Sequence, residues 1–412
     1  MTILALWLTC MLAQPEIEPS AFFVPNEELN DYLPEAGENN PMLRARFDEW
    51  LAALERILQV KSLDDPVFTY APFLQSDTNN VRLILAQKFP WFGTLSTRRD
   101  KSLAEADAVL ERFYAERNKV FADVKQTYFE YAFLGASIEV TEAQLEVLGY
   151  MEGIVQLKYS LGIATEGDLL RVQIEQTIVQ DSKDGLERLR PASSALLSEA
   201  IGRSPAALLP WPQEAALPPP APALEDAFAL VHQANPELSA FDHIIESGQK
   251  QEKLSRKRGF PDFTLGLMYT QRSSTGGEDF LMPSLSVNVP IWRGKIKAGI
   301  QEARLRTNAA RQSKRHRALA LESAAQMALF GMEDGLRRYN LYRDSLLPKA
   351  EQTYRSLQTA YASGGTSTDF LDVLDSIRFL LNFQLDQLRA ERDLHLAAAD
   401  LEMLMGGRWV PD

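Results

Sequence analysis

Two hydrophobic periods alternate along this chain. Over residues 93–159 apolar positions recur with three-and-four spacing. Leu103, Leu110, Val124 and Tyr131 lie on one track, and Ala106, Phe113, Val120 and Leu134 on another. That is a coiled-coil seam, and no proline interrupts it between Pro90 and Pro191. As one helix the stretch is about 100 Å long at 1.5 Å per residue. The pattern returns over 295–361, where Pro348 predicts a break or kink. The equivalent break in the first half falls near Val140 and Thr141, with Thr141 starting a new helix.

The second period is two. Phe263, Leu265, Leu267 and Tyr269 alternate with Thr264, Gly266, Met268 and Thr270. After turn residues at 273–277, Leu285, Val287, Val289 and Ile291 alternate with Ser284, Ser286, Asn288 and Pro290. This predicts a hairpin of strands about 8–10 residues long. A weaker copy precedes the first long helix. There Val81, Leu83, Leu85 and Phe89 alternate with Arg82, Ile84, Ala86 and Lys88, behind a strand at 67–74 that Pro72 marks as an end or edge. One apolar and one small polar face, in strands of about 9–11 residues, is the pattern of an outer-membrane barrel. A soluble two-layer sheet explains one such hairpin equally well, but not two hairpins each feeding a very long helix. Four strands cannot close a barrel, and open edges are not tolerated in lipid. The strands must come from several chains.

The chain is also duplicated. Asn40-Pro41 pairs with Asn235-Pro236, and Phe89-Pro90-Trp91-Phe92-Gly93 with Val289-Pro290-Ile291-Trp292 followed by Gly294. Tyr159-Ser160-Leu161-Gly162 pairs with Tyr361-Ala362-Ser363-Gly364, then Asp168-Leu169-Leu170 with Asp369-Phe370-Leu371, and 197–202 with 401–406. Seven of the 22 prolines fall at 205–222, between the copies. The expected organisation is a signal peptide and N-terminal segment at 1–20, then a first repeat at 21–203 with its hairpin at 66–90 and long helices at 93–203. A Pro-rich linker follows at 204–224. The second repeat is 225–406, with its hairpin at 261–291 and long helices at 293–406, and the tail is 407–412. The fold class is mostly α with a small β part.

Composition narrows the function. The chain has 412 residues, 45% hydrophobic and 24% charged, with a net charge of −13. That is globular and acidic, which argues against nucleic acid as a partner. One cysteine, Cys10, excludes an intrachain disulfide, and with only four scattered histidines no metal centre is expected. Residues 3–13 form an apolar run of the length of a secretory signal's h-region, although the first basic residue is Arg44. No phosphate cradle, nucleophile elbow or dinucleotide fingerprint is present, so neither enzymatic activity nor a cofactor is expected.

With these marks assembled, the chain resembles the outer-membrane efflux factors of the TolC family, in particular the heavy-metal-efflux type. The two junction phrases, Leu347-Pro348-Lys349-Ala350-Glu351, the run 361–365 and Phe370-Leu371-Asp372-Val373-Leu374-Asp375 carry the likeness over about 40–406. The resemblance implies a homotrimer in which each chain gives four strands to a shared 12-stranded barrel in outer-membrane lipid. It implies long helices forming a periplasmic α-helical tunnel that docks, through an adaptor protein, onto an inner-membrane pump of RND or ABC type. The helical-hairpin tips, marked by Tyr159, Gly162, Tyr361, Gly364 and Gly365, become the closed periplasmic entrance and the adaptor contact. Asp372 and Asp375 match the family's pore-facing acids, and Asp369 lies one turn earlier. Asp168 is the counterpart at the first tip. First-turn acids also complement a helix dipole, which is the other reading of all four. Pro90, Trp91, Gly93, Pro290 and Trp292 mark the strand-to-helix junctions. The alternative function is a soluble periplasmic coiled-coil scaffold or adaptor without a channel.

Overall fold

The computed structural model describes residues 27–72, 80–213, 215–272, 278–363 and 369–407. The expected signal peptide and the tip glycines Gly364 and Gly365 lie outside the described residues. Two short helices, α1 (Glu27–Asn39) and α2 (Pro41–Lys61), lead into strands β1 (Val67–Pro72) and β2 (Asn80–Phe89). Helices α3 (Thr94–Ser160) and α4 (Glu166–Ile201) follow. After an extended stretch the same order recurs: α5 (Leu224–Ala234), α6 (Pro236–Lys257), β3 (Phe263–Arg272), β4 (Phe280–Val287) and α7 (Arg293–Leu341). A π-helical turn (Tyr342–Leu346), α8 (Leu347–Ala362) and α9 (Phe370–Leu404) complete it. No described helix is long and apolar enough to cross a membrane.

The residues form two compact units. Among the described residues, one falls within 45–115 and 236–319 and holds the sheet; the other falls within 27–44, 116–235 and 320–407 and is helical.

In the sheet unit the strand order is β1-β2-β3-β4, all antiparallel, because β2 pairs with β3 from Asn80↔Arg272 to Phe89↔Phe263. The two predicted hairpins are therefore one sheet with β1 and β4 as its edges. Directly opposite residues share a face. One face carries the rows Tyr70–Leu83–Tyr269–Leu281 and Phe68–Leu85–Leu267–Pro283, then Gln87–Leu265–Leu285 and Phe89–Phe263–Val287. The other carries Thr69–Ile84–Met268–Met282, Val67–Ala86–Gly266–Ser284 and Lys88–Thr264–Ser286. On the apolar face Phe68, Tyr70, Leu85, Leu265, Leu267, Leu281, Leu285 and Val287 are all exposed. Pro72 ends an edge strand, where its missing N–H costs no ladder bond. The sequence placed the last strand at 284–291, but β4 is 280–287. The Asn288 N–H still donates to the Asp262 carbonyl (3.0 Å), one step further along the same register, and the chain then turns: Pro290 has no N–H to continue a ladder, and the Ile291 N–H bonds back to the Val289 carbonyl (3.0 Å).

The long helices correct two further expectations. Helix α3 is one continuous helix of 67 residues, with no break at Val140 or Thr141. The Thr141 hydroxyl donates to the Ser137 carbonyl one turn back (2.7 Å), so it is satisfied inside the helix instead of capping a new one. The second half does deform, but by widening. The π turn at Tyr342–Leu346 immediately precedes Pro348. Proline lacks an N–H and crowds the carbonyl four residues back, and a wider turn relieves both. Of the seam residues, Ala106, Phe113, Val120, Val124, Tyr131 and Leu134 are buried, whereas Leu103 is exposed.

Within the helical unit the repeated sequence marks turn out to be contact partners. The Asn40 side-chain amide donates to the Ala200 carbonyl at the end of α4 (3.2 Å), and the Asn235 amide to the Leu404 carbonyl at the end of α9 (2.9 Å). Each helix stops at a left-handed glycine, Gly202 (φ 86°) or Gly406 (φ 78°). In each, the following N–H reaches back five residues, Arg203 to Ser198 (2.8 Å) and Gly407 to Glu402 (2.9 Å). A Cβ on Gly202 would lie 2.8 Å from the Asn39 carbonyl carbon, and one on Gly406 would meet the Ala234 carbonyl oxygen.

Candidate functional site

The tips lie in the helical unit. Helix α3 ends on Gly162 (φ 74°), whose N–H bonds the Tyr159 carbonyl (2.9 Å) while the Ile163 N–H bonds that of Lys158 (2.8 Å). Only a residue at home in the left-handed region closes a helix this way. Three residues later Thr165 caps α4 through a reciprocal box. Its hydroxyl accepts from the Asp168 N–H (3.2 Å), and the Asp168 carboxylate accepts from the Thr165 N–H (3.0 Å) and hydroxyl (2.8 Å). Arg171 approaches the same carboxylate at 3.5 Å. Asp168 is thus engaged in building the turn.

The two tips share a core. Leu148, Met151 and Val155 of α3 and Val172 and Val179 of α4 pack with Tyr361, Phe370, Val373, Leu374 and Ile377. Tyr361 is buried, but Tyr159, its counterpart in the duplication, is exposed. Tyr361 packs within that core and is also met by Lys158. Its ammonium donates to the Tyr361 carbonyl and sits 3.9 Å from the ring centroid. Burial pushes the Tyr361 phenol up, and the negative charges of Asp168 and Asp369 add to it. Nothing in the spacing of residues pointed to Lys158.

On α9, Phe370, Val373, Leu374 and Ile377 face inward, leaving Asp369, Asp372 and Asp375 exposed on the other side. Asp369 is the N-cap residue but makes no side-chain cap bond, and the Asp372 N–H bonds its backbone carbonyl (3.2 Å). Asp375 pairs with Arg378 (3.2 Å), which also binds the buried Glu175 carboxylate of α4 (2.5 Å). Three carboxylates therefore stand at successive three-residue steps along one exposed flank, and only Asp375 of them is tied to a cation among the described residues.

The junctions lie in the sheet unit. Trp91 stacks on Phe260 (4.9 Å between centroids) and Phe263 (6.0 Å), and its backbone N–H donates to the Asp262 carboxylate (3.1 Å), which also pairs with Lys88 (3.1 Å). Pro90 ends the strand. Gly93 (φ 71°) turns the chain into α3 and accepts from the Thr97 hydroxyl (2.7 Å). Phe92, Trp292, Val289 and Ile291 are left exposed, with Pro290 between the last two.

A polar cluster in the helical unit went unread in the sequence. Lys125 and Glu402 form an ion pair at 2.6 Å, both buried. His395 stacks on Phe129 at 3.8 Å, and burial, with the Lys125 charge, pushes its pKa down to about 4. Among the described residues no group of His, Cys, Asp or Glu is arranged to hold a metal.

A family model described as outer membrane efflux protein matches residues 74–203 and again 229–407. The chain belongs to the outer membrane efflux protein family. It is 25% identical over 370 residues to the solvent efflux pump outer membrane protein SrpC of Pseudomonas putida, covering 80% of this chain and 71% of that one. Its fold matches the outer-membrane channel OprN with a TM-score of 0.79 at 18% identity, over 93% of this chain and 90% of that one. It matches VceC of Vibrio cholerae with a TM-score of 0.76 at 18% identity, over 92% and 96%. The protein is thus an outer-membrane efflux channel with a large periplasmic helical part. The alternative of a soluble scaffold finds no support. Its family and structural neighbours are channels, not enzymes.

Proposed function

We propose that three copies of this chain close one duct and that the α9 acids ring its periplasmic entrance. The observation that carries the trimer is the sheet: four strands with an exposed apolar face and two open edges. In lipid each unpaired edge group costs several kcal/mol, so β1 and β4 must meet neighbouring copies. The tips support the same reading. Leu170, Ile174 and Ile178 form an exposed apolar stripe at four-residue steps on α4, and Tyr150 and Leu157 another on α3.

In such a trimer Asp369, Asp372 and Asp375 become rings of three carboxylates that favour cations over anions. Asp168 has a structural role in the capping box, not a pore role. The tips hold the entrance shut until a periplasmic adaptor, carrying an inner-membrane pump of RND or ABC type, engages them; the helices then untwist about the glycine turns. The pump, not this duct, selects the cargo. Solvents, as named for the Pseudomonas relative, and metal ions both pass through an opening of this kind.

The test is conductance of the protein reconstituted in a planar bilayer. Asp372→Asn should reduce cation selectivity and relieve divalent-cation block, more than Asp375→Asn, whose carboxylate is already paired with Arg378. Unchanged selectivity and block in the double variant would remove the acid ring from the account.

A further inference from the structure

At the base of the sheet, within the sheet unit, a groove of about 1020 Å³ opens between the first turns of α3 and α7, the end of α6 and the turn at 288–292. We propose that this groove binds the headgroup of an anionic phospholipid, a reading that rests on the membrane placement above. Its walls combine the cations Arg98, Lys257, Arg258 and Lys295 with the apolar Phe260 and Ile291. The Lys257 ammonium donates to the Phe92 carbonyl (2.9 Å). Arg98, Arg258 and Lys295 meet no carboxylate among the described residues. The two acids in the groove are engaged elsewhere, Asp262 with Lys88 (3.1 Å) and Glu302 with Arg306 (2.7 Å).

Charge is misplaced here by the rules of an isolated helix. Neither α3 nor α7 has an acid in its first turn. The peptide dipoles already make each N-terminus positive, so cations there are unfavourable until an anion arrives. Further along α7 the cations Arg304, Arg306, Lys314 and Arg317 are each paired with an acid, Glu252, Glu302, Asp242 and Glu237, whereas Lys295 at the groove is not paired with one among the described residues. A free inorganic anion would satisfy the cations but not the apolar wall or the exposed rim of Phe92, Val289 and Trp292. A phosphate diester attached to acyl chains satisfies all three, and aromatic and basic residues together are what a membrane–water boundary selects.

The experiment uses the full-length protein. It is first extracted from the outer-membrane fraction, and its detergent dependence and mass are read before any lipid is added. Failure at that step overturns the membrane reading, and this site with it. The extracted protein is then loaded with phosphatidylglycerol or phosphatidylcholine, and retained lipid is measured by native mass spectrometry. Phosphatidylglycerol should be retained on the order of tenfold or more over phosphatidylcholine. Arg98→Gln/Arg258→Gln/Lys295→Gln should abolish that preference, whereas Lys253→Gln/Arg311→Gln/Arg315→Gln, equal in charge but outside the groove, should keep it. Equal retention of the two lipids by the unmodified protein overturns the proposal, and that comparison needs no variant to fold. Displacement of the lipid by inorganic phosphate alone also overturns it, by showing a simple anion site.

Discussion

His395 shows how one buried side chain makes this protein sensitive to acid. Its pKa is pushed from 6.5 to about 4 by burial first and by Lys125 second. Above pH 6.5 the ring is neutral in both folded and unfolded chains, and its contribution is fully present. As pH falls through 6.5 the unfolded chain takes up a proton that the folded chain refuses until about 4. Stability therefore falls across that window, by about 3 kcal/mol at most. His395→Leu should flatten the decline in apparent Tm between pH 7 and 4.5; an unchanged slope would assign the decline to other groups. The buried pair beside it makes a second prediction. Lys125→Met alone removes the cation paired with the buried Glu402 carboxylate and should cost about 3–5 kcal/mol, while Lys125→Met/Glu402→Leu should recover most of it, read by denaturant midpoints. The glycines separate conformation from space. Gly162→Ala meets open space and only the left-handed penalty, about 1–2 kcal/mol. Gly406→Ala adds a collision with the Ala234 carbonyl and should destabilise markedly more.

The elements were legible where one period dominates. The α3 seam gave its length because 67 residues repeat a helical pattern without proline. The alternation at Phe263, Leu265, Leu267 and Tyr269 marked β3 because each strand's apolar positions face one way. Boundaries failed where local chemistry outweighed the pattern. The alternation of Val289 and Ile291 continues past Val287, yet Pro290 and the bond from the Ile291 N–H back to the Val289 carbonyl end the pairing. Thr141 looked like a cap because an isolated Thr serves a cap and a helix interior alike; only its bond to Ser137 decides. At this scale the sheet's two faces should respond oppositely to charge. Leu85→Lys or Leu267→Lys, in the middle of the apolar face, should each cost about 2–4 kcal/mol and reduce assembled protein in the outer membrane, whereas Thr264→Lys on the other face should be tolerated. Heat-modifiable migration of membrane fractions on gels reports the difference.

For the whole molecule, duplication made the signposts visible in sequence but not what they touch. The marks at Asn40 and Gly202, and at Asn235 and Gly406, read as parallel features of two repeats, and they prove to be the ties that end α4 and α9. The tips were located by glycine and acidic spacing, while the Lys158 contact to Tyr361, between residues about 200 apart, left no local trace. The central claim is that edge strands of different copies pair in the outer membrane, and cross-linking across that seam tests it most directly. Closing a barrel staggers the register across the seam, so cysteines at Val67, Thr69 and Ala71 of β1 are combined in turn with cysteines at Phe280, Met282, Ser284 and Ser286 of β4, all on one face of the sheet. Treated with a short bifunctional maleimide in intact outer membranes, at least one double variant should give a ladder that stops at three chains, absent from the single variants. A monomer that fails to cross-link, or a ladder that ends at two, would contradict the shared barrel.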